Sequence, residues 1–389
     1  MQTKTRSITE IADELAEEAV ASDELKKLTD RSVELLHESQ VARMLQPKDF
    51  GGQESHPREF CEVVMELASK APSAGWVAGV VGVHPWQFAW LDPKLQEEVW
   101  GEDPDTWIAS PYAPMGVGRQ VDGGFIFNGR WTFSSGTDFC QWIVLAGRVA
   151  DENGEEIPGA VRHFVLPRKD YEIIEDSWNV SGLSGTGSKD VVVNDAFVPE
   201  YRTATAEGVF GGSLAKENRP GNPLYALPFN VMFPAAVASA TLGIAEGVIH
   251  RFGEAQQARV DVLGVKATDH PFRMAALGSA SADIQASRLH ILTDITALYE
   301  HAQNGGEITP AMHYEARRNM VRALRRAHDA AELVVRHAGG GAHRLDNPIQ
   351  RFARDLSVGM GHAANQDDII YQAWGAYSLG APIPPHVYI

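Results

Sequence analysis

Hydrophobic and polar positions change their period twice along this chain. Across residues 7–100 apolar side chains recur every three or four positions, the repeat of a helix with one buried face, and ITEIADELAEEA and DRSVELLHESQVARML are clear instances. LDPKLQEEVWGED repeats the theme, with Asp92-Pro93 as a helix start. QPKDFGGQESHP reads as a loop of Pro and Gly. Across residues 106–205 the pattern becomes that of strands: QWIVLAGRVA, RHFVLPRKDYEII and DVVVNDAFVP, with FIFNGRWTF read as two short aromatic runs joined by an Asn128-Gly129 hairpin turn. Closely spaced Gly and Pro make this zone a compact β-barrel or sandwich. Across residues 227–379 the helical period returns in MAALGSASADIQASRLHILTDITALYEHAQ and PAMHYEARRNMVRALRRAHDAAELVVRHAGGGAH. Helices this long without heptads suggest a bundle, often one that packs against a second copy. Residues 206–223, rich in Gly, read as a mobile loop. The predicted class is α+β, with an N-terminal helical domain (1–105), a β-barrel domain (106–205) and a C-terminal helical bundle (206–389).

Composition narrows the function. With 389 residues and 44% hydrophobic side chains the chain can bury a large core. A formal net charge of −17, without a Lys/Arg-rich run, argues against a nucleic-acid-binding face. Two cysteines, Cys61 and Cys140, form neither a disulfide framework nor a zinc cluster, and fit a reducing cytoplasm. The N-terminus lacks the apolar core of a signal peptide. The weakly charged stretch FNVMFPAAVASATLGIAEGVI (residues 229–249) contains Asn230, Pro234 and Glu246, and reads as a buried bundle helix, not a membrane span.

Several short stretches carry candidate chemistry. GLSGTGS (residues 182–188) looks like a dinucleotide loop, but a strand follows it where that fingerprint needs a helix, so it reads as a turn. The chain shows no nicotinamide or triphosphate-binding motif of its own. His337 and His343 flank AGGGA without a third ligand in register, so no metal site is expected. RWTFSSG ends an aromatic strand in Ser134, Ser135 and Gly136; these are ordinary turn residues, or the rings wall a pocket that the hydroxyls address. His84, beside Trp86 and Trp90, and His362, one helical turn from Asn365, are each either satisfied core residues or pocket residues.

The segments LLHESQVARMLQPKDFGG, GWVAGVVGVHPWQ, SPYAPMGVG, VDGGFIFNGRWTFSSG, GLSGTGS, NPIQRFARD and GHAANQD are similar, over essentially the whole chain, to the acyl-CoA dehydrogenase fold and within it to the flavin-dependent monooxygenase branch. That resemblance implies a helical domain, a β-barrel and a C-terminal four-helix bundle, usually in a homotetramer, with flavin between barrel and bundle. It also implies a separate flavin reductase that supplies reduced flavin (FMN or FAD). Oxygen and a phenolic, steroid-derived substrate would be the co-reactants, with hydroxylation ortho to the phenol through a C4a-hydroperoxyflavin. An acyl-CoA dehydrogenase needs a carboxylate base. At the two places that family carries it, this chain has RDLSVGMGHAANQD, with His362 near the expected position, and FNVMFPAAVASATLG, with no acid. A same-fold enzyme acting on another aromatic or heteroaromatic compound, and a non-catalytic flavin binder, remain as alternatives.

The resemblance also implies roles. Ser134 or Ser135 would bond near flavin N5, with Trp131 and Phe133 along the flavin-side wall. Ser110, Tyr112 and Pro114 would form the barrel loop beside the isoalloxazine. His362 would act as base toward the phenol or steady the peroxide. His84, Trp86 and Asn365 would lie on the substrate side. Arg259 would reach a flavin phosphate, from a neighbouring subunit.

Overall fold

The computed structural model describes residues 6–260 and 264–383. Five helices come first: α1 (Ile8–Leu25), α2 (Asp30–Ser39), α3 (Pro57–Lys70), α4 (Pro72–Phe88) and α5 (Pro93–Trp100). Their starts follow from local chemistry. Ser7 and Glu10 form a reciprocal capping box on α1, and the Asp92 side chain caps α5 ahead of Pro93. Every residue of α4 is buried, which explains why it lacks an amphipathic pattern.

Eight strands follow: β1 (Ile108–Ala109), β2 (Gly116–Val121), β3 (Gly124–Ser134), β4 (Trp142–Ala150), β5 (Glu156–Pro167), β6 (Glu172–Ile174), β7 (Lys189–Pro199) and β8 (Thr203–Thr205). They form one mixed sheet in the order β6-β7-β3-β2-β4-β5-β8, with β1 parallel to β4. The sheet curls on itself: Phe127 on β3 and Phe164 on β5, with two strands between them, stack with ring centroids 4.0 Å apart. Its end strands β6 and β8 are not paired with each other among the described residues, so the barrel is open along one seam.

The Asn128-Gly129 hairpin turn is not there. Both residues lie inside β3, and the hairpin reverses instead at Asp122-Gly123, between Val121 and its partner Gly124. Asn128 sits at a register shift, where its amide exchanges hydrogen bonds with the Asp195 carboxylate (3.0 Å) and backbone N–H (2.7 Å). Gly129 is needed for a different reason than a turn: a Cβ there would lie 2.5 Å from the Trp131 ring. Residues 206–223 also depart from the loop reading. They hold two short helices, α6 (Ala206–Phe210) and α7 (Ser213–Asn218), tied down by Asn218 and Arg219, which donate to the carbonyls of Trp90 (2.5 Å) and Ala89 (3.1 Å).

The remaining helices are α8 (Phe229–Ala258), α9 (Pro271–Gln303), α10 (Pro310–Ala338), α11 (Pro348–Met360) and α12 (Asp367–Ser378). Helix α8 is central, packing on α9, α10 and α11 of its own bundle and on α3 and α4. By length and composition it could cross a membrane, but 89% of its apolar window is buried inside the protein, as a bundle core requires.

Candidate active site

Barrel, bundle and α4 enclose a cavity of about 800 Å³, within the range typical of cofactor and small-molecule sites. Its lining is mainly apolar and aromatic and, among the described residues, includes no Asp or Glu. Six residues singled out in the sequence line it: Ser110, Tyr112, Pro114, Phe133, Ser135 and His362.

The barrel wall explains which serine faces inward. Regular alternation would put Trp131 and Phe133 on one face. A register shift against β7 between Trp131 and Ser134, together with a left-handed φ of 65° at Phe133, breaks that alternation. Trp131 therefore points into the barrel, where its Nε1 donates to the Ala146 carbonyl (2.8 Å), and it does not line the cavity. Phe133 turns outward, 66% exposed, with its ring edge-on to Trp178. Ser134 is fully buried with no partner for its hydroxyl among the described residues, whereas Ser135 reaches the cavity. Ser135 Oγ accepts from Trp76 Nε1 (3.2 Å) and shares a proton with Ser188 Oγ (2.7 Å). Ser188 shares one with Thr186 Oγ1 (2.7 Å), and Thr186 donates to the Leu183 carbonyl (2.8 Å).

The turn that carries Leu183, Thr186 and Ser188 is clamped from outside the barrel. Asp355 on α11 accepts from the Leu183 N–H (2.6 Å), and Asp23 on α1 accepts from the Gly185 N–H (2.9 Å). Burial, reinforced by Asp23, pushes the Asp355 carboxyl up to about 7.

A second polar chain runs through Tyr112. Its hydroxyl donates to Gln87 Oε1, so the 3.1 Å contact with His84 Nδ1 must be a bond that His84 donates. Gln87 Nε2 in turn donates to His163 Nδ1 (3.1 Å), leaving the Nε2 proton of His163, which lines the cavity. Burial drives His84 down to about 3 and His163 down to about 4, so both rings are neutral near pH 7. His84 is itself fully buried and meets the cavity lining through Tyr112 and through Phe233, on whose ring it stacks.

The bundle wall carries His362 and Arg317. His362 Nδ1 accepts from the Ala364 N–H (3.1 Å), which fixes the ring proton on Nε2. Protein surrounds the ring, although part of it stays open to the cavity. Burial, with Arg317 nearby, lowers its pKa to about 4. In its neutral form His362 is a donor toward the cavity, not a vacant base. Arg317 is buried, donates to the Ala364 carbonyl (2.8 Å) and has no carboxylate partner among the described residues. Burial lowers its pKa to about 10, which leaves it charged near neutrality.

Three more residues from the sequence reading lie outside the cavity lining. Trp86 is fully buried and donates to the Leu224 carbonyl (2.8 Å). Asn365 donates to Thr241 Oγ1 (3.1 Å) and the Gly359 carbonyl (2.9 Å), pinning the turn that carries His362. Arg259, after the end of α8, holds the last carbonyl of α10, that of Ala338. Sequence reasoning passed over Trp76, His163, Thr186, Ser188 and Arg317. Only GLSGTGS carried a signal, and it was set aside as a turn, which it is.

Three comparisons place this architecture. The family model described as acyl-CoA dehydrogenase, C-terminal domain, matches residues 235–367. The chain is 44% identical to the pigment production hydroxylase of Rhodococcus erythropolis, covering 96% of this chain and 95% of that protein. It is 37% identical to the flavin-dependent monooxygenase, oxygenase subunit HsaA, of Rhodococcus jostii, covering 95% and 96%. The crystal structure of 3-HSA hydroxylase from Rhodococcus sp. RHA1 superposes with a TM-score of 0.91 at 36% identity, covering 96% of each chain. The chain belongs to the flavin-dependent monooxygenase family of oxygenase subunits built on the acyl-CoA dehydrogenase fold.

Proposed function

We propose that this chain is the oxygenase component of a two-component flavin-dependent monooxygenase that hydroxylates a phenolic, steroid-derived substrate ortho to its hydroxyl. The observation that carries this reading is the cavity: about 800 Å³ of mainly apolar space with a hydroxyl on the barrel wall, N–H donors on the bundle wall and, among the described residues, no carboxylate in its lining. A dehydrogenase of this fold would need that carboxylate. Reduced flavin, when bound, supplies the activated oxygen.

The residues present fit that group. Ser135 offers an acceptor suited to the N5–H of a reduced isoalloxazine, and Phe133, Trp178, Ser110 and Pro114 supply ring-facing surface. His362 Nε2–H and the Arg317 guanidinium favour negative charge on oxygen, as an electropositive corner does where water is excluded. His362 therefore steadies an oxygen atom and does not remove the phenol proton. Phe210, Phe229 and Phe233 pack edge-on and stacked beside this corner and keep water from it. His84 acts through Tyr112, and Asn365 through the turn it pins.

The enzyme takes its reduced flavin, FMN or FAD, from a separate reductase. It works as a homotetramer, in which the exposed Phe272, Met274 and Leu289 of α9 become covered. Arg259 serves a flavin phosphate only across such an interface.

The test is product analysis by mass spectrometry, with chemically reduced flavin and phenols of increasing bulk. Catechols from the bulky phenols are expected, with no turnover when NADH is given without a reductase. Hydroxylation confined to small phenols, or to heteroaromatic compounds, would overturn the substrate assignment. Light scattering on the purified protein tests the tetramer.

A further inference from the structure

The hydroxyl chain behind Ser135 can be read proton by proton. An O···O contact of 2.7–2.8 Å needs one hydrogen between its oxygens, and three such contacts run in series: Ser135 to Ser188, Ser188 to Thr186, and Thr186 to the Leu183 carbonyl. The carbonyl has no hydrogen to give, so the Thr186 proton lies on that contact. Ser188 must then donate to Thr186, and Ser135 must donate to Ser188. Three protons fill three contacts. Ser135 also receives the Trp76 Nε1–H, so it has one lone pair and no proton left for the cavity.

We infer that Thr186 and Ser188 are positioning residues that lock the Ser135 hydroxyl as a pure acceptor, so that this wall binds reduced flavin, whose N5 carries a hydrogen, in preference to oxidised flavin, whose N5 is itself an acceptor. The inference rests on the reading that Ser135 faces flavin N5. An oxidised ring there would set two lone pairs against each other, whereas a reduced ring gains a bond. The Asp355 and Asp23 clamps belong to the same device, because they hold the turn carrying both Leu183 and Thr186. The consequence is useful to an enzyme fed by diffusion: spent oxidised flavin leaves, and the reduced form replaces it.

The test is binding, not turnover. Affinities for oxidised and dithionite-reduced FMN and FAD are measured anaerobically for the wild type and for Ser135→Ala, Ser188→Ala, Thr186→Val and Thr186→Ser. The wild type is expected to favour reduced flavin. Ser188→Ala and Thr186→Val free a proton for Ser135 to turn toward the cavity. Each should lower the reduced-to-oxidised preference about threefold to tenfold, the worth of one hydrogen bond, chiefly by tighter binding of oxidised flavin. Thr186→Ser keeps the proton count and should restore the preference, which a purely structural role for the methyl-bearing side chain would not do. An unchanged preference in Ser188→Ala and Thr186→Val, with a changed one in Ser135→Ala, would overturn the relay and leave the flavin-facing Ser135 standing. An unchanged preference in Ser135→Ala as well would overturn both.

Discussion

The two walls of the cavity solve opposite problems. Behind Ser135, on the barrel side, the protons of Ser135, Ser188 and Thr186 are tied into a chain that ends on a carbonyl, and a lone pair of Ser135 is what remains. On the bundle side the backbone takes up the one acceptor, on His362, and anchors one end of Arg317, whose guanidinium carries donors alone. The Ala364 N–H occupies His362 Nδ1 and the Ala364 carbonyl accepts one Arg317 N–H, so the His362 Nε2–H and the other guanidinium N–H groups are what remain. One short turn at residues 362–365 thus sets the polarity of His362 and the placement of Arg317. The contrast teaches that the site's chemistry is fixed less by which residues line it than by which of their hydrogen-bonding positions the scaffold has already filled. A ligand with a donor at one edge and a developing negative charge at the other matches this polarity.

That contrast can be broken from either side. The largest effect is expected from Arg317→Met, which removes the buried cation: kcat/KM for the phenol should fall roughly 10- to 100-fold, the worth of one charge-assisted hydrogen bond. Steady-state assays with reduced flavin check this, and near-wild-type values would remove Arg317 from the site. His362→Ala should lower hydroxylated product about tenfold and raise hydrogen peroxide release, while His362→Gln, which keeps an N–H donor, should retain more coupling. Equal losses in the two variants would favour the base reading instead. With a pKa of about 4, His362 is neutral above that value, so the pH–rate profile should show no histidine transition between pH 6 and 8. On the barrel side, Ser135→Ala should raise the peroxide released per oxygen consumed by a few-fold, and an unchanged ratio would count against its contact with flavin.

The smallest effect concerns the clamp. The Asp355 pKa of about 7 lies above its unfolded value, so the folded state holds a proton that the unfolded chain has lost. Its contribution favours folding at low pH and is lost as pH rises through about 7. In Asp355→Asn, melting temperatures should depend less on pH between 5 and 7 than in the wild type. A steeper dependence would contradict the assignment.

Much of this fold was legible because period and punctuation agree: Ser7 and Glu10 at one helix start, Asp92-Pro93 at another, a continuous apolar run in β4 and alternation at the start of β7. Asn128-Gly129 misled because the same dipeptide suits a tight turn and a bulge that makes room for an indole ring. The site was half legible. Ser110, Tyr112, Pro114, Phe133, Ser135 and His362 converge on one cavity. Trp131 does not, because a positive φ two residues later undoes the alternation that grouped it with Phe133. Arg317 was hidden among the arginines of an amphipathic helix, and only tertiary packing distinguishes it from its half-buried and exposed neighbours. Thr186 and Ser188 gain their meaning from a contact with Ser135, about fifty residues away in the chain, which no local pattern contains.

The central claim is oxygen insertion in this cavity, and isotope labelling tests it most directly. The purified chain is mixed with stoichiometric reduced flavin, a bulky phenol and ¹⁸O₂, and the product is weighed by mass spectrometry after a single turnover. The account expects a catechol carrying one ¹⁸O atom, with its yield cut in Arg317→Met and His362→Ala. Reduced flavin oxidised to flavin and peroxide alone, with no label in any aromatic product across the phenol panel, would contradict it.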